Sequence, residues 1–407
     1  MAKKSTSANE FSFGDIVDTM KSIIKPTSIQ HVTEESSKQR GFISTGIYVL
    51  NAAFSGDIFG GIANNRISVL GGPSGVGKSF LCYNICREAQ AAGYSVIYVD
   101  TEFSIELDQL PGYGIDISRD KFMLLSNNVI EDLKISMTQL LDAIKEQKNS
   151  GKTIPKMLFV LDSVGQLGSR KEVEDALSGK EKADFTKAKA LGSFFRIINA
   201  DLGTLGIASI FTNHTYKTMD MFPQDKMKGG EALFYSASSI GFLSKAKLKD
   251  GEEDDLDLGQ SGIVVTCKMV KNRLAKPKKV KFEISFVSGC NPFVGLDFWC
   301  DEDTFDTVGI AKGKMVDDKF VPGGNRWYVR HLGKHVATAN LFAPDVFTED
   351  VLKNLRPIIK DYFRYKSITE LNELNRRLEA AKGEITDKEL YSDDINSESL
   401  FGGEDED

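Results

Sequence analysis

Short apolar runs alternate with longer segments of helical periodicity through the middle of the chain. Each run has the length of a buried strand, and each intervening segment repeats its apolar residues every three or four positions. The predicted strands cover 67–70, 95–99, 157–161, 207–213, 238–243 and 262–268, and the predicted helices cover 79–92, 131–147 and 184–200. This alternation is typical of an α/β fold in which helices pack on a mostly parallel central sheet.

The pattern changes on both sides of this region. A short amphipathic helix is predicted over 11–24, and it ends before Pro26 because proline disfavours a helical residue in front of it. Further along, 323–325 predicts a hairpin turn between two short strands, and a helix is predicted over 348–365. The predicted domains are an N-terminal helix and linker at 1–42, a core at 43–300, a small α+β lobe at 301–365, and a helix with a disordered acidic tail at 366–407.

The composition is that of an ordinary globular protein. Of the 407 residues, 41% are hydrophobic and 27% are charged, and no run approaches the roughly 18 apolar residues of a membrane span. Lys3 and Lys4 are not followed by an apolar segment, so no secretory signal is predicted. The five scattered cysteines indicate reduced core thiols. We therefore expect a cytoplasmic protein without a membrane partner.

The net charge of −7 is unevenly distributed. Residues 384–407 hold ten acidic residues and one basic residue, so this stretch carries −9 and the rest of the chain carries +2. A strongly acidic surface repels phosphates and argues against nucleic-acid binding. Because the acidity belongs to the tail and not to the body, the composition leaves a nucleic-acid partner open.

A glycine-rich turn at 72–79 separates the first predicted strand of the core from its first predicted helix. Its sequence, GPSGVGKS, matches the phosphate-binding pattern G-x-x-x-x-G-K-[ST] at every fixed position. Glycines allow positive φ and bring backbone N–H groups close to phosphate oxygens, while the lysine supplies a cation and the serine a hydroxyl for Mg²⁺. The predicted ligand is a nucleoside triphosphate with Mg²⁺, and its predicted contacts are Gly72, Pro73, Ser74, Gly75, Val76, Gly77, Lys78 and Ser79.

Three further polar residues stand at the ends of predicted strands. Asp162 ends an apolar strand, and Glu102 and His214 each follow one. Ligands of open α/β sheets bind at the carboxyl ends of strands, so all three are candidates for the same site. Asp162 is expected to complete the metal shell, Glu102 to align or deprotonate a water, and His214 to sense the terminal phosphate. The competing interpretations are a solvated loop acid for Glu102 and a capping or partly buried histidine for His214.

Two long segments combine cations with other polar or apolar residues near these strand ends. The segment 215–231 combines lysines with methionines and a phenylalanine, a combination that suits DNA because cations meet phosphates and apolar groups stack on bases. The segment 164–183 is also polar and basic, and 268–281 holds seven bases and no acid. From composition alone, the first two segments can equally be solvated surface loops, and a basic run such as 268–281 is usually a solvated face. The candidate DNA contacts are Arg170, Lys171, Lys217, Met221, Phe222, Lys226, Lys228, Gly229 and Gly230.

The order of these motifs resembles the RecA-type DNA recombinases. The segments that carry the resemblance are ISTG (43–46), GPSGVGKS (72–79), DTEF (100–103), LDS (161–163), TNH (212–214), GG (229–230) and VKNR (270–273). Within that family, LDSVGQLGSRKEVEDAL (161–177) and NHTY (213–216) are similar to the UvsX recombinases of T-even-type phages. This combination is more specific than any of its motifs alone.

The resemblance implies a RecA-type P-loop ATPase core that binds ATP and Mg²⁺. Glu102 would be the catalytic carboxylate, and Asp162 would be the acid of the metal shell. His214 stands where bacterial members have a glutamine that contacts the terminal phosphate, a departure that agrees with the phage branch. Lys271 and Arg273 would reach the phosphate bound by a neighbouring subunit.

The resemblance also implies an assembly and a set of partners. The segments 164–183 and 215–231 would contact DNA, and the N-terminal region at 1–42 would dock on the next protomer of a helical homopolymer. The expected partners are single- and double-stranded DNA, further copies of the chain, and single-strand-binding and mediator proteins. If the protein is phage-encoded, it would act in the host cytoplasm.

The expected activity is therefore that of an ATP-dependent DNA recombinase, a DNA-dependent ATPase that pairs and exchanges strands in recombination, repair and recombination-dependent replication. A ring-forming replicative helicase on the same core is one alternative, but the small lobe and the short N-terminal region count against it. A nucleotide-gated mediator without strand exchange is another, and an intact Glu102 is unexpected there. A small-molecule kinase is a weaker option, because no acceptor-pocket signature is present.

Overall fold

The computed structural model describes residues 41–179, 186–248 and 261–384. The helix predicted over 11–24 and the acidic tail from residue 385 onward lie outside the described residues. The chain divides into two compact units, of which the first ends at Phe363 and the second begins at Arg364. Every strand of the described ranges belongs to the first unit.

The element bounds follow the predicted alternation of strands and helices. The strands are β1 (Phe42–Ile43), β2 (Ile62–Ala63), β3 (Ile67–Gly71), β4 (Ser95–Asp100), β5 (Phe122–Ser126), β6 (Met157–Asp162), β7 (Ala208–Asn213), β8 (Thr215–Lys217), β9 (Asp225–Met227), β10 (Ser239–Leu248), β11 (Gly262–Asn272), β12 (Lys279–Ser285), β13 (Gly289–Cys290), β14 (Ile310–Val316), β15 (Lys319–Val329) and β16 (Lys334–Val336). The α-helices are α1 (Tyr48–Ser55), α2 (Lys78–Ala91), α3 (Ile130–Asn149), α4 (Arg170–Leu177), α5 (Thr186–Leu205), α6 (Ala232–Ser236), α7 (Phe305–Val308), α8 (Glu349–Phe363) and α9 (Ile368–Glu384).

The central sheet of the first unit has nine strands in the order β13-β12-β11-β10-β3-β7-β6-β4-β5. The strands from β10 to β5 run parallel to one another, whereas β11, β12 and β13 extend the sheet beyond β10 in antiparallel fashion. The predicted α/β class with a mostly parallel sheet is therefore confirmed. The order also brings the carboxyl ends of β3, β7, β6 and β4 side by side along one edge.

Apolar residues cover both faces of the parallel strands, which explains why these strands are continuous apolar runs in the sequence. Leu70 and Ile210 belong to a hydrophobic cluster that includes α1 and α2. Their chain neighbours Val69 and Phe211 point to the other face and join a second cluster with α3 and α5. Helices on both faces thus leave the strand ends as the place where polar side chains converge.

A three-stranded sheet, β14–β16, follows the core strands, and its first turn differs from the sequence prediction. The turn lies at Asp317 and Asp318, between the paired residues Val316 and Lys319, so the prediction of a hairpin turn at 323–325 is wrong. Both aspartates adopt positive φ (48° and 59°), which short polar side chains tolerate. Residues 323–326 instead bulge out of β15, because the pairing shifts in register across them.

The small lobe and the core share hydrophobic packing. Trp327 and Val329 belong to the same cluster as α1 and α2. Asp57, in the loop after α1, forms ion pairs with Arg356 and Lys360 of α8 at 2.7 and 3.1 Å. The domain boundary near residue 300 remains a prediction. The hydrophobic cluster and the ion pairs of Asp57 both join residues from the two sides of it.

The second unit, within the described ranges, consists mainly of α9, which agrees with the helix predicted to continue beyond residue 365. Among the helices that the structure describes, none has the length and apolar composition needed to cross a bilayer.

Candidate nucleotide site and nucleic-acid interface

The glycine-rich turn joins β3 to α2 and leaves the start of that helix open. Gly75 and Gly77 have φ of 68° and 89°, a conformation that favours glycine. Gly77 is the N-cap residue of α2, and no side chain caps the helix there. A Cβ at Gly72 would lie only 2.8 Å from the carbonyl oxygen of Leu243, so this position also requires glycine. The helix start can therefore present backbone N–H groups and its positive dipole end to phosphates.

The other residues of the turn divide into exposed and buried positions. Pro73 and Ser74 are exposed, and Ser79 is half-buried. Val76 is fully buried in the core, so it can contribute to phosphate binding only through its backbone. The polar side chains that the turn can offer are therefore Ser74, Ser79 and the lysine before Ser79.

Lys78 is mostly buried beneath the turn and donates hydrogen bonds to the carbonyl oxygens of Gly72 and Pro73 at 3.0 and 2.9 Å. Burial lowers the pKa of this ammonium group, while the nearby carboxylates of Asp162 and Glu102 act in the opposite direction. A triphosphate would offer stronger, charge-assisted partners than two carbonyl groups. The lysine is thus positioned to exchange its bonds with the turn for bonds with phosphate.

Asp162, at the carboxyl end of β6, is held by neighbours on both sides of its strand. Tyr98 of β4 donates a hydrogen bond to its Oδ2 at 2.9 Å, and Thr212 of β7 donates to its Oδ1. The peptide bond between Asp162 and Ser163 is cis. Only 6% of Asp162 is exposed, and its carboxylate is close enough to Lys78 of the P-loop to interact with it electrostatically.

Glu102 lies at the turn after β4, which is fixed by a buried carboxylate. Asp100 accepts hydrogen bonds from the backbone N–H groups of Glu102, Ser104 and Ile105 at 2.8–2.9 Å. The Oε1 atom of Glu102 accepts a bond from the Ser163 hydroxyl at 2.7 Å and lies 3.1 Å from Nε2 of His214. The structure therefore brings Glu102 and His214 into direct contact.

The donor set fits a triphosphate with Mg²⁺. Among the residues that the structure describes, no group of three His, Cys, Asp or Glu residues could hold a metal ion alone. Mg²⁺ in nucleotide sites is usually bound by one or two protein groups together with the phosphates and water. Ser79, in the first turn of α2, and Asp162, at the carboxyl end of β6, are the candidates for such a pair.

Within the segment 215–231, β8 and β9 pair as an antiparallel β-hairpin. Its base is bonded to the nucleotide site. The N–H of Gly72 donates to the carbonyl oxygen of Asn213 at 3.0 Å, the Asn213 amide donates to the carbonyl oxygen of Lys228 at 2.9 Å, and the N–H of Lys228 donates to the carbonyl oxygen of His214 at 2.9 Å. A movement of the P-loop can therefore be transmitted to the hairpin through these three hydrogen bonds.

The tip of the hairpin exposes apolar and cationic side chains together. Met219 is fully exposed, and Met221 and Phe222 are 91% and 79% exposed. The predicted DNA contacts Lys217, Lys226 and Lys228 are also exposed, and Gly229 and Gly230, with φ of 84° and 82°, turn the chain from β9 into α6. Such a tip can meet phosphates and stack on bases.

The segment after Asp162 contains the short helix α4. Ser169 and Glu172 form a capping box at its start. Arg170 forms an ion pair with Asp132 of α3, and its backbone N–H donates to Glu131 at 2.8 Å. Lys171 is exposed. Of these two predicted DNA contacts, Lys171 is therefore the more available, because Arg170 already has a carboxylate partner.

Lys271 and Arg273 lie at the opposite end of the parallel strands from the P-loop. Asn272, between them, pairs with Ser239, which pairs with Ser68 near the start of β3. The P-loop follows Gly71, which is three residues beyond Ser68 and therefore about 10 Å further along the strand. Lys271 donates to the carbonyl oxygens of Phe234 and Tyr235 at 2.6 and 3.1 Å. Its pKa is lowered, mainly by burial and to a smaller extent by the positive charge of Arg273. The structure does not bring these cations to the P-loop of their own subunit.

Several residues of the site were not predicted from the sequence: Tyr98, Asp100, Ser163 and Thr212. For Tyr98, Asp100 and Thr212, the available signal was a hydroxyl or carboxyl group in an otherwise apolar strand, since such groups are costly to bury without a partner. Which partner they take depends on strand order, because Tyr98 and Thr212 come from the two strands that flank β6. Strand order was not predicted.

Comparison with known proteins confirms the family resemblance. A family model for the RecA N-terminal domain matches residues 15–291. The chain is 32% identical over 319 residues to the recombination and repair protein of Enterobacteria phage T4, covering 76% of this chain and 74% of that protein. It is 28% identical over 273 residues to protein RecA of Sulfurimonas denitrificans, covering 66% and 72%. It is 25% identical over 296 residues to the mitochondrial DNA repair protein recA homolog 3 of Arabidopsis thaliana, covering 71% and 64%.

Proposed function

The chain belongs to the RecA family, and from this premise we propose that it is an ATP-dependent DNA recombinase. It forms a helical filament on single-stranded DNA, pairs that strand with homologous duplex DNA and exchanges strands. The observation that carries the proposal is the position of His214, which contacts Glu102 and is followed directly by the first strand of the β8–β9 hairpin. A residue in that position can couple the nucleotide site to a DNA-binding element.

The nucleotide would be bound by the P-loop backbone and Lys78, and Mg²⁺ by Ser79 and Asp162. When bound, the ion neutralises charge on the phosphates. Glu102 aligns the attacking water and accepts its proton, a role that requires a free carboxylate oxygen facing the phosphate. In the structure its Oε1 is shared with Ser163 and His214, so release of His214 towards the terminal phosphate would free Glu102 for this task.

Lys271 and Arg273 would complete the site of the next subunit. They lie at the amino end of the parallel strands, whereas the P-loop lies at the carboxyl end. Stacking one copy head to tail on another would bring the amino end of one sheet towards the carboxyl end of the next. Such a contact uses two different surfaces and gives a filament when its rotation does not close.

DNA would be bound chiefly by the β8–β9 hairpin, with Lys171 as a contact from α4. Its phosphates would meet the lysines, and its bases would meet Met221 and Phe222. ATP between protomers would hold the state with high affinity for DNA, and hydrolysis would release it. Single-strand-binding and mediator proteins are the partners that such a filament needs in the cytoplasm of a host cell.

The proposal is tested by measuring ATP hydrolysis with and without single-stranded DNA and imaging the same samples by electron microscopy. We expect DNA to stimulate hydrolysis and to carry helical filaments, and homologous duplex to be exchanged in a strand-transfer assay. Hydrolysis at full rate by single subunits, unaffected by DNA, would contradict the proposal. Closed rings on DNA would favour a helicase, and filaments without strand transfer would favour a mediator.

A further inference from the structure

Two hydroxyl groups converge on the carboxylate of Asp162 from opposite sides. Tyr98 and Thr212 belong to β4 and β7, the two strands that flank β6 in the sheet. Tyr98 donates to Oδ2 at 2.9 Å, and Thr212 donates to Oδ1. Both donors are fully buried, so solvent cannot compete for these bonds.

The packing at these positions does not require hydroxyl groups. The Tyr98 ring packs near Tyr83 and Phe122, with centroid distances of 6.1 and 6.2 Å, and phenylalanine would preserve those contacts. Thr212 follows the apolar residues Ile210 and Phe211 in β7, where valine has nearly the same shape. A buried hydroxyl costs stability unless it is hydrogen-bonded. The contribution of the two hydroxyl groups is therefore their hydrogen bonds to the Asp162 carboxylate.

We propose that Tyr98 and Thr212 are positioning residues that hold the Asp162 carboxylate in the plane required by the hydrated Mg²⁺ of the bound nucleotide. This inference rests on the proposed function, because it takes Asp162 as the acid of the metal shell. A carboxylate rotates easily about its terminal torsion, and one bond to each oxygen from opposite sides fixes that torsion. Groups that orient a metal ligand in this way typically change metal affinity or activity by about 10- to 100-fold when removed.

The experiment measures binding of a fluorescent ATP analogue to the full chain while Mg²⁺ is titrated. The variants are Tyr98→Phe, Thr212→Val and the double variant. Mg²⁺ is expected to enhance binding of the analogue, and each single variant should raise the Mg²⁺ concentration that gives half of this enhancement by about 10-fold. The affinity for the analogue in EDTA should stay at the parent value. Tyr83→Phe is the matched control, since it removes a hydroxyl from the neighbouring ring that does not bond to Asp162, and it should behave as the parent.

A second comparison separates this inference from the proposed function. If the Mg²⁺ dependence of the parent persists unchanged in Asp162→Asn, the metal role of Asp162 fails. If Asp162→Asn abolishes it but Tyr98→Phe and Thr212→Val keep the parent midpoint, the positioning role fails. In the Asp162→Asn background, Tyr98→Phe should have no further effect. A loss of affinity in EDTA shared by both hydroxyl variants would indicate a general packing role and would also overturn the inference.

Discussion

The two ends of the parallel strands carry cations in different settings. At the carboxyl end, Lys78 lies beneath the P-loop, close to the carboxylates of Asp162 and Glu102. At the amino end, Lys271 is bonded to two backbone carbonyl groups, and Arg273 is exposed. One end is therefore equipped with both cation and carboxylates, whereas the other presents cations next to carbonyl groups. The proposed active site, divided between two copies of the chain, would require such a difference.

The support behind these two ends also differs. The carboxyl end is tied together by side chains from several strands. At the amino end, the side chain of Asn272 ties the segment to α1 and β10, donating to the carbonyl oxygens of Ala53 and Phe54 at the end of α1 and accepting from Ser239. Cations on such a support can be changed without disturbing the P-loop. The first prediction uses this independence.

Replacing the two cations at the amino end should have the largest effect. We expect Lys271→Ala with Arg273→Ala to reduce DNA-stimulated ATP hydrolysis by about 10³-fold or more, the scale on which a cation supplied to a transferred phosphoryl group acts. ATP binding to the isolated subunit should stay at the parent level. Lys279→Ala with Lys281→Ala is the matched control, because it removes two exposed charges from the same basic run.

Mixing two inactive variants shows whether Lys271 and Arg273 act on the nucleotide of a neighbouring subunit or on that of their own subunit. The double variant and a Lys78→Ala variant should each be inactive, but their mixture should regain hydrolysis at junctions where an intact P-loop meets intact cations. Full activity of the double variant alone would rule out the divided site. A mixture as inactive as its components would also speak against it.

The next largest effect is expected at Glu102. Glu102→Gln should slow hydrolysis by about 10²-fold, because an amide cannot accept the proton of the attacking water. Binding of ATP and of single-stranded DNA should be retained, and both are measured by fluorescence anisotropy beside a steady-state ATPase assay. Glu106→Gln, an exposed carboxylate four residues along the same segment, should hydrolyse ATP at the parent rate. If Glu102→Gln hydrolysed ATP at the normal rate, a residue other than Glu102 would have to accept the proton of the attacking water.

A smaller effect is expected at the hairpin. Phe222→Ala should weaken single-stranded DNA binding by about 10-fold, because stacking of one base contributes about 1–3 kcal/mol. ATP hydrolysis without DNA should be unchanged, since the side chain lies at the exposed tip. Ile135→Ala, which truncates an exposed apolar side chain on α3, serves as the control. Equal DNA affinity in Phe222→Ala and the parent protein would remove the tip from the DNA contact.

The sequence predicted the central elements better than their surroundings, for physical reasons. The P-loop, Asp162 and the core strands have local signals, namely fixed glycine spacing and continuous apolar runs. The basic run at 268–281 had no such signal, and it proves to be the end of β11, a turn and the start of β12, where Lys279 and Lys281 alternate with the buried Val280. The turn at Asp317 and Asp318 was missed because glycines at 323–325 are the stronger local signal. The contacts of Tyr98 and Thr212 depend on strand order, which local patterns do not contain.

The smallest predicted effect tests whether α8 supports the amino end at a distance from the nucleotide site. Asp57 follows α1, the helix that anchors Asn272, and its carboxylate accepts hydrogen bonds from Arg356 at 2.7–3.1 Å. Burial acts to raise the pKa of Asp57, but the hydrogen bonds from Arg356 and the Phe59 N–H and the pairing with Lys360 outweigh it, so the pKa is lowered. A lowered pKa means that folding is favoured while the carboxylate is ionised.

Asp57→Asn should therefore lower the free energy of unfolding by about 1 kcal/mol at pH 7, a modest value because water screens the half-exposed cations. The difference from the parent should persist above the ordinary pKa of aspartate, about 3.9, and disappear as the pH falls through the lowered value of the folded state. Urea unfolding at a series of pH values measures it, with Asp306→Asn as control, because that carboxylate is 99% exposed beside Arg330. ATP affinity should match the parent throughout. If Asp57→Asn instead weakened ATP binding, the two ends of the sheet would be coupled through α1, and the independence assumed for the Lys271 and Arg273 variants would fail.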